Sequence, residues 1–311
     1  MSDRDESQSD ALEAAHRCGF VALIGAPNAG KSTLLNRLVG AKVSIVTHKV
    51  QTTRSLVRGI AVRGPAQIVF VDTPGIFRPK RRLDTAMVRS AWAGATDADA
   101  VVMIADARKG LDEEAEAILA RLRDIPHRRF LALNKIDVMR RDKLLEVTAA
   151  FNAALPFERT FMISALTGDG VDDLMAALAE VMPAGPWLYP EDQISDFPLR
   201  QLAAEITREK LYLRLHQELP YESHVETETW TEHRDGSVRI EQTIYVARES
   251  QRAIVLGKNG RTIKEIGAAS REELAAILEV PVHLSLFVKV RESWADDPER
   301  YREMGLDFPR D

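Results

Sequence analysis

A chain of 311 residues, 45% hydrophobic and 29% charged, has room for two ordinary domains and the composition of a folded, water-soluble protein. Its net charge of −5 excludes a generally basic nucleic-acid binder, so any surface for a polyanion must be local. Cys18 is the single cysteine, which excludes an intramolecular disulfide and a cysteine-built zinc site and suits a reducing compartment.

Residues 1–17 are polar, lack the apolar core of a signal peptide, and read as a disordered tail. No apolar run reaches the roughly 18–20 residues that cross a bilayer. A cytoplasmic protein with at most peripheral membrane contact is expected. From Gly19 onward, apolar runs predict strands at 19–25, 56–62, 66–72, 99–105, 129–133 and 158–163. Helical patterns fall between them at 31–39, 84–95, 112–123, 142–154 and 170–181. This alternation specifies an α/β domain over 18–182, a mostly parallel sheet covered on both faces. The gap between 56–62 and 66–72 is too short for a helix, so one strand pair is antiparallel. Pro183, Pro186, Pro190 and Pro198 then break any regular element and mark a linker over 183–198. A helix (199–218), two alternating strands (223–232 and 237–247) turning at Arg234-Asp235-Gly236, a short helix without set bounds, a Gly-rich turn, a helix (261–279) and a strand (282–290) follow. They make a small α+β domain over 199–291, and the acidic segment 292–311 reads as a solvated cap.

The stretch Gly25, Ala26, Pro27, Asn28, Ala29, Gly30, Lys31, Ser32 fits G-x-x-x-x-G-K-[ST], placed between a strand and a helix as phosphate binding requires. Its glycines let successive N–H groups and the helix N-terminus, with Thr33 in the first turn, surround phosphate oxygens. Lys31 would reach the β- and γ-phosphates and Ser32 would ligate Mg²⁺. Asp72, Thr73, Pro74 and Gly75 end another apolar strand, where Asp72 would support Mg²⁺ and the Gly75 N–H would meet the γ-phosphate. Asn134, Lys135, Ile136 and Asp137 follow a third strand. A carboxylate there can accept two hydrogen bonds from guanine that adenine cannot offer, so the nucleotide is GTP or GDP. Lys135 would lie along the base, and the backbone N–H groups of Ser164 and Ala165 would contact guanine O6.

A switch loop needs a threonine that completes the Mg²⁺ shell when γ-phosphate is present. Thr53 is the first choice and Thr52 its competitor. Ile76 stands where Ras-like enzymes place a water-orienting glutamine, and it can neither donate nor accept a hydrogen bond. Catalysis then rests on Lys31, Thr53, Gly75 and Mg²⁺, and slow turnover is expected. Arg54 is a weak candidate for an arginine finger. Asn28 resembles the asparagine of GTPases that use K⁺ beside the phosphates; the alternative is that it only shapes the loop.

The turn Gly257-Lys258-Asn259-Gly260 precedes a helix, and Arg252, Lys258, Arg261 and Lys264 surround it with no acid between 252 and 264. In an αββααβ order this resembles a type II KH domain, whose G-x-x-G loop clamps a short run of nucleotides. The blocks PNAGKSTLLN, QTTR, DTPG, NKID, PEDQISD (190–196), AAEITREKL (203–211), ELPY (218–221) and VLGKNGRTIKEIG (255–267) together resemble the Era GTPases of bacteria from about Gly19 to Leu306. That resemblance implies GTP-dependent binding of the 3′ end of small-subunit (16S) ribosomal RNA, work on the 30S precursor as a monomer, and peripheral contact with the inner membrane. Met304-Gly305-Leu306 departs from the family's usual Leu-Gly-Tyr ending. The alternative is a membrane-associated signalling GTPase whose C-terminal module binds protein or lipid. A P-loop ATPase or kinase is disfavoured by Asp137.

Overall fold

The computed structural model describes residues 16–49, 52–79, 81–215, 219, 222–292 and 298–309, without the side chains of Arg300 and Glu303. Residues 1–15 of the tail expected over 1–17, Gln51 of the switch loop and most of 216–221 lie outside these residues. The chain forms two compact units. One holds Thr53–Asp196 together with the chain up to Ser44 and from Gly305 on. The other holds Ile45–Thr52 and Phe197–Met304.

The first unit is built on β1 (Arg17–Ile24), β2 (Val57–Arg63), β3 (Ala66–Asp72), β4 (Ala100–Asp106), β5 (Arg128–Asn134) and β6 (Arg159–Met162). Their order in the sheet is β2-β3-β1-β4-β5-β6. Only β2 runs antiparallel, closing directly onto β3 as the short gap required. β3 and β4 are buried at every residue, which strands covered on both faces must be, and their sequences are apolar up to a terminal aspartate, Gln67 apart. The intervening helices are α1 (Lys31–Val39), α2 (Arg82–Asp97), α3 (Glu113–Leu122), α4 (Arg141–Ala154) and α5 (Val171–Val181). Parallel pairing sets Leu23 beside Asp72 and Asp106 beside Asn134, so the polar residues ending these strands share one edge of the sheet.

Three expectations need correction. Arg17, assigned to the tail, opens β1, and its guanidinium donates to the Glu180 and Met182 carbonyls. Residues 183–196 are no free linker but a strap on the first unit. Ala184 bridges Arg17, Ser195 bridges Gly59, and the Ile194 carbonyl accepts the Ile60 N–H at 2.9 Å. Trp187 stacks on His16 at 4.6 Å and donates to the Pro65 carbonyl, which places it in packing rather than on a base. The strap covers the open edge of β2, where unpaired backbone would invite association. Finally, the C-terminal segment is no solvated cap, since Tyr301, Met304 and Leu306 are buried.

The second unit comprises α6 (Leu199–Arg214), β7 (Ser223–Glu232), β8 (Val238–Val246), α7 (Glu249–Leu256), α8 (Arg261–Leu278), β9 (Val282–Val290) and α9 (Pro298–Glu303). Its sheet runs β7-β8-β9, antiparallel then parallel. Leu211, Ile244, Val246, Val255 and Ile266 lie in one buried cluster between helices and sheet. Ile45–Thr52 joins this unit through α6. Glu209 accepts the Val46 N–H at 2.8 Å, Arg208 donates to the Thr52 carbonyl, and Lys49 donates to the Tyr212 and Leu215 carbonyls at the end of the helix.

The strap hangs on Gln67, which is fully buried in β3. Its Oε1 accepts from the N–H groups of Leu188 (2.8 Å) and Tyr189 (3.0 Å), and its Nε2 donates to the Tyr189 carbonyl at 2.8 Å. Gln67→Leu keeps the volume but strands these partners. It should destabilise the first unit by roughly 2 kcal/mol, and limited proteolysis should then cut within 183–196 ahead of global unfolding.

Candidate nucleotide site and nucleic-acid loop

The phosphate loop is shaped by residues that accept φ > 0. Gly25 (φ 158), Asn28 (φ 62) and Gly30 (φ 103) let it fold back between β1 and α1, and asparagine is among the few side chains tolerated there. Lys31 returns over the loop and donates to the carbonyls of Gly25 (3.1 Å) and Ala26 (3.0 Å). Burial pushes its ammonium down to about 8, against the pull of Asp72. Pro27 packs under Gly75, and the Ile76 N–H donates to the Gly25 carbonyl at 3.0 Å. Ile76 itself sits in the apolar core, so nothing at that position can orient water.

Asp72 is the centre of the site. Its Oδ2 accepts from the hydroxyls of Ser32 (2.6 Å) and Ser44 (2.9 Å), with Thr53 at 3.5 Å and 2.9 Å from Ser32. Its Oδ1 is buried with no hydrogen-bond partner. Burial raises the Asp72 pKa, and the surrounding hydroxyls and Lys31 oppose it. An orphaned carboxylate oxygen beside Ser32 and Thr53 hydroxyls is an all-oxygen donor set that fits Mg²⁺. Thr52 takes no part in this cluster; its hydroxyl meets Thr47 at 2.6 Å and the Lys49 carbonyl at 2.7 Å. Sequence reasoning missed Ser44. It also missed Asn36, whose amide holds the Val43 and Ser44 N–H groups at 2.9 Å and so fixes the start of the switch segment. Thr73 turns inward, its hydroxyl on the Leu23 carbonyl at 2.8 Å, and Arg54 is buried.

On the base side, Asn134 ties three loops together. Its Nδ2 donates to the Ala29 carbonyl at 2.8 Å, while its Oδ1 accepts the N–H groups of Lys135 (2.8 Å) and Ala165 (2.9 Å). The Ser164 N–H is likewise taken, by the Asp169 carbonyl at 2.9 Å. The backbone pair expected to read guanine O6 is therefore used to build the pocket. Ser164 acts instead through its hydroxyl, which donates to Asp137 at 2.6 Å and orients the exposed carboxylate. Lys135 spans from β5 to the phosphate loop.

In the second unit, Gly257 (φ 70), Asn259 (φ 54) and Gly260 (φ 73) make a tight left-handed turn between α7 and α8. A Cβ on Gly257 would lie 2.2 Å from the Thr262 hydroxyl, so glycine is required there. Lys258 and Lys264 are exposed, but Arg252 pairs with Glu249 at 3.3 Å and Arg261 with Glu265 at 3.0 Å. The basic patch is thus narrower than the acid-free stretch suggested, because the acids flank it one helical turn away. Val255 and Ile266 belong to the core, whereas Ile254 is 55% exposed on α7.

A phosphate loop, a metal-type carboxylate and a guanine-type aspartate on a mostly parallel sheet, followed by an αββααβ unit with a G-x-x-G turn, define a P-loop GTPase joined to a KH domain. Comparison with known proteins agrees. The model for the "50S ribosome-binding GTPase" family matches residues 20–135, and that for "KH domain" matches 218–295. GTPase Era of Bradyrhizobium sp. (strain ORS 278) is 66% identical over 305 residues, covering 98% of this chain and 99% of that protein. GTPase Era of Rhizobium meliloti (strain 1021) is 67% identical over 294 residues, 94% of each. Among solved structures, a single-residue variant of Aquifex aeolicus Era bound to GDP.AlF4- superposes with a TM-score of 0.88 at 38% identity, covering 93% of this chain and 99% of that one. Era in complex with MgGDPNP and nucleotides 1506-1542 of 16S ribosomal RNA gives the same values. The chain belongs to the Era GTPase family, and is a GTP-hydrolysing enzyme.

A Cβ at Gly30 would stand 2.2 Å from Asn134 Nδ2, at a φ that side chains resist. Gly30→Ala should therefore break the Asn134–Ala29 tie and weaken GDP binding about 100-fold, equivalent to about 3 kcal/mol. Equilibrium titration with a fluorescent GDP analogue measures it.

Proposed function

We propose that this GTPase uses its nucleotide state to control a KH domain that holds the 3′ end of 16S ribosomal RNA, and that it thereby assists assembly of the 30S subunit. The observation that carries this is the joint fit, over 93% of the chain, to an Era structure containing both MgGDPNP and that RNA segment. The loop Gly257–Gly260 supports it: φ > 0 at Gly257, Asn259 and Gly260 leaves the backbone open to a sugar–phosphate strand, with Lys258 and Lys264 supplying charge and Arg252 and Arg261 adding theirs by exchanging Glu249 and Glu265 for phosphate.

In the nucleotide site, the backbone of 25–33 and Lys31 would bind the phosphates, and the Gly75 N–H would meet the γ-phosphate. Ser32, Thr53 and Asp72 would hold Mg²⁺, which when bound neutralises charge on the β- and γ-phosphates. Asp137, oriented by Ser164, would accept the guanine hydrogen bonds. With Ile76 in the core, no side chain there positions water, so turnover is slow. Asn28, in the left-handed conformation at the loop's tip, would also lend its side chain to K⁺. Turnover should then be several-fold faster in K⁺ than in Na⁺ at equal ionic strength. Equal rates would leave Asn28 a loop-shaping residue only.

Lys258→Asp with Asn259→Asp retains a left-handed-tolerant residue at 259 but reverses the loop's charge. Binding of a 16S 3′-end oligonucleotide in the presence of GDPNP should weaken at least about tenfold, with GDP affinity unchanged. Failure of that RNA to crosslink within 257–264, or to bind more tightly with GDPNP than with GDP, would overturn the ribosomal reading. Peripheral inner-membrane contact is the further part of the proposal; cosedimentation with anionic liposomes tests it.

A further inference from the structure

Three aspartates stand at the nucleotide edge of the first unit, and two have evident work. Asp72 gathers the metal-type hydroxyls, and Asp137 faces the base. Asp106, buried at the end of β4, touches neither group. Its Oδ2 accepts from Lys135 Nζ at 2.8 Å and from an Arg108 guanidinium nitrogen at 2.6 Å. Its Oδ1 accepts from Arg108 Nε at 2.9 Å and from the Arg108 backbone N–H at 3.1 Å. Burial alone would push this carboxyl up; hydrogen bonds from Arg108 and Lys135 outweigh it and hold it at about 2, ionised at any physiological pH. Lys135 Nζ also donates to the Asn28 carbonyl at 2.5 Å. The ammonium is therefore held between a fixed charge on β4 and the tip of the phosphate loop.

A free lysine would lose rotamer freedom on being laid along a base. A side chain already pinned at its far end does not. We propose that Asp106, braced by Arg108, is the positioning residue that lays the Lys135 stem along the guanine base and ties it to the phosphate loop through Asn28. This rests on the reading of Lys135 as the side chain beside the base. Asp106 touches no reacting atom, so its effect falls on nucleotide binding and on KM rather than on the chemical step. Arg108 is half exposed and pairs with a buried carboxylate, so its removal costs less than removal of Asp106 itself.

A double-mutant cycle in the full-length chain tests this, read as the affinity for a fluorescent GDP analogue and as KM and kcat for GTP. Asp106→Asn should weaken GDP binding about tenfold, the low end for breaking a buried charge pair whose lysine is partly exposed. KM should rise in proportion, with kcat changing far less. Arg108→Ala should weaken binding about threefold. In a Lys135→Ala background both losses should vanish. Loss of the same size with and without Lys135 would overturn the proposal, since Asp106 would then act only by shaping the turn after β4; unchanged GDP affinity in Asp106→Asn would overturn it too. Unchanged affinity in Lys135→Ala alone would instead overturn the reading of Lys135, and the proposal with it. If Asp106→Asn does not fold, the Arg108→Ala and Lys135→Ala pair decides by the same comparison.

Discussion

Asp72 places a carboxyl group where water cannot reach it, and the nucleotide site is arranged around that fact. A buried carboxylate is costly unless donors or a cation surround it. Here one oxygen collects hydroxyls from the first turn of α1 and from both ends of the switch segment, through Ser32, Ser44 and Thr53. The other oxygen is left without a protein partner. The cluster can exist only because β3 runs parallel to β1, with Asp72 abreast of Leu23 just before the phosphate loop turns back. Asn36 then fixes the residues that bring Ser44 inward. Fold, loop conformation and an oxygen set fit for a metal meet on one carboxylate.

The base side follows the same logic with different partners. Asn134, Asp106 and Ser164 act on other residues: the first joins the phosphate loop to two further loops, the second holds Lys135, the third turns Asp137. Few of these side chains need touch the nucleotide. They convert the ends of separate parallel strands into one rigid rim, which is why a sheet with a single strand direction at its centre suits this chemistry.

How much of this was legible in the sequence depended on the range of the cause. Gly25, Gly30, Lys31 and Ser32 carry their chemistry within one short stretch, and the strands showed because β3 and β4 are apolar almost throughout. The antiparallel β2–β3 pair followed from loop length alone. Asp106 was missed although it ends a buried apolar strand just as Asp72 does; its partner Lys135 is distant in sequence, and only the sheet brings them together. The strap over 183–196 read as a linker because its prolines forbid regular structure, while what holds it is Gln67 from another strand. Helix α7 was expected only as an element without bounds, since Val255 is its one buried residue and leaves no periodic stripe. The acid-free run 252–264 overstated the basic patch, because a helix returns Glu249 and Glu265 to the side chains one turn away.

The switch segment shows how adjacent residues of one loop can take their partners from different elements. Ser44 and Thr53 belong to the first unit and both attend Asp72, yet the residues between them, Ile45–Thr52, belong to the second. Their described polar contacts include Glu209 at Val46, Arg208 at Thr52 and Lys49 at the carbonyl end of α6, where a cation also meets the negative end of the helix dipole. A stretch whose flanking hydroxyls meet one carboxylate and whose own residues bond to one helix takes its conformation from those partners rather than from any periodicity of its own, which is why it showed no helix or strand pattern.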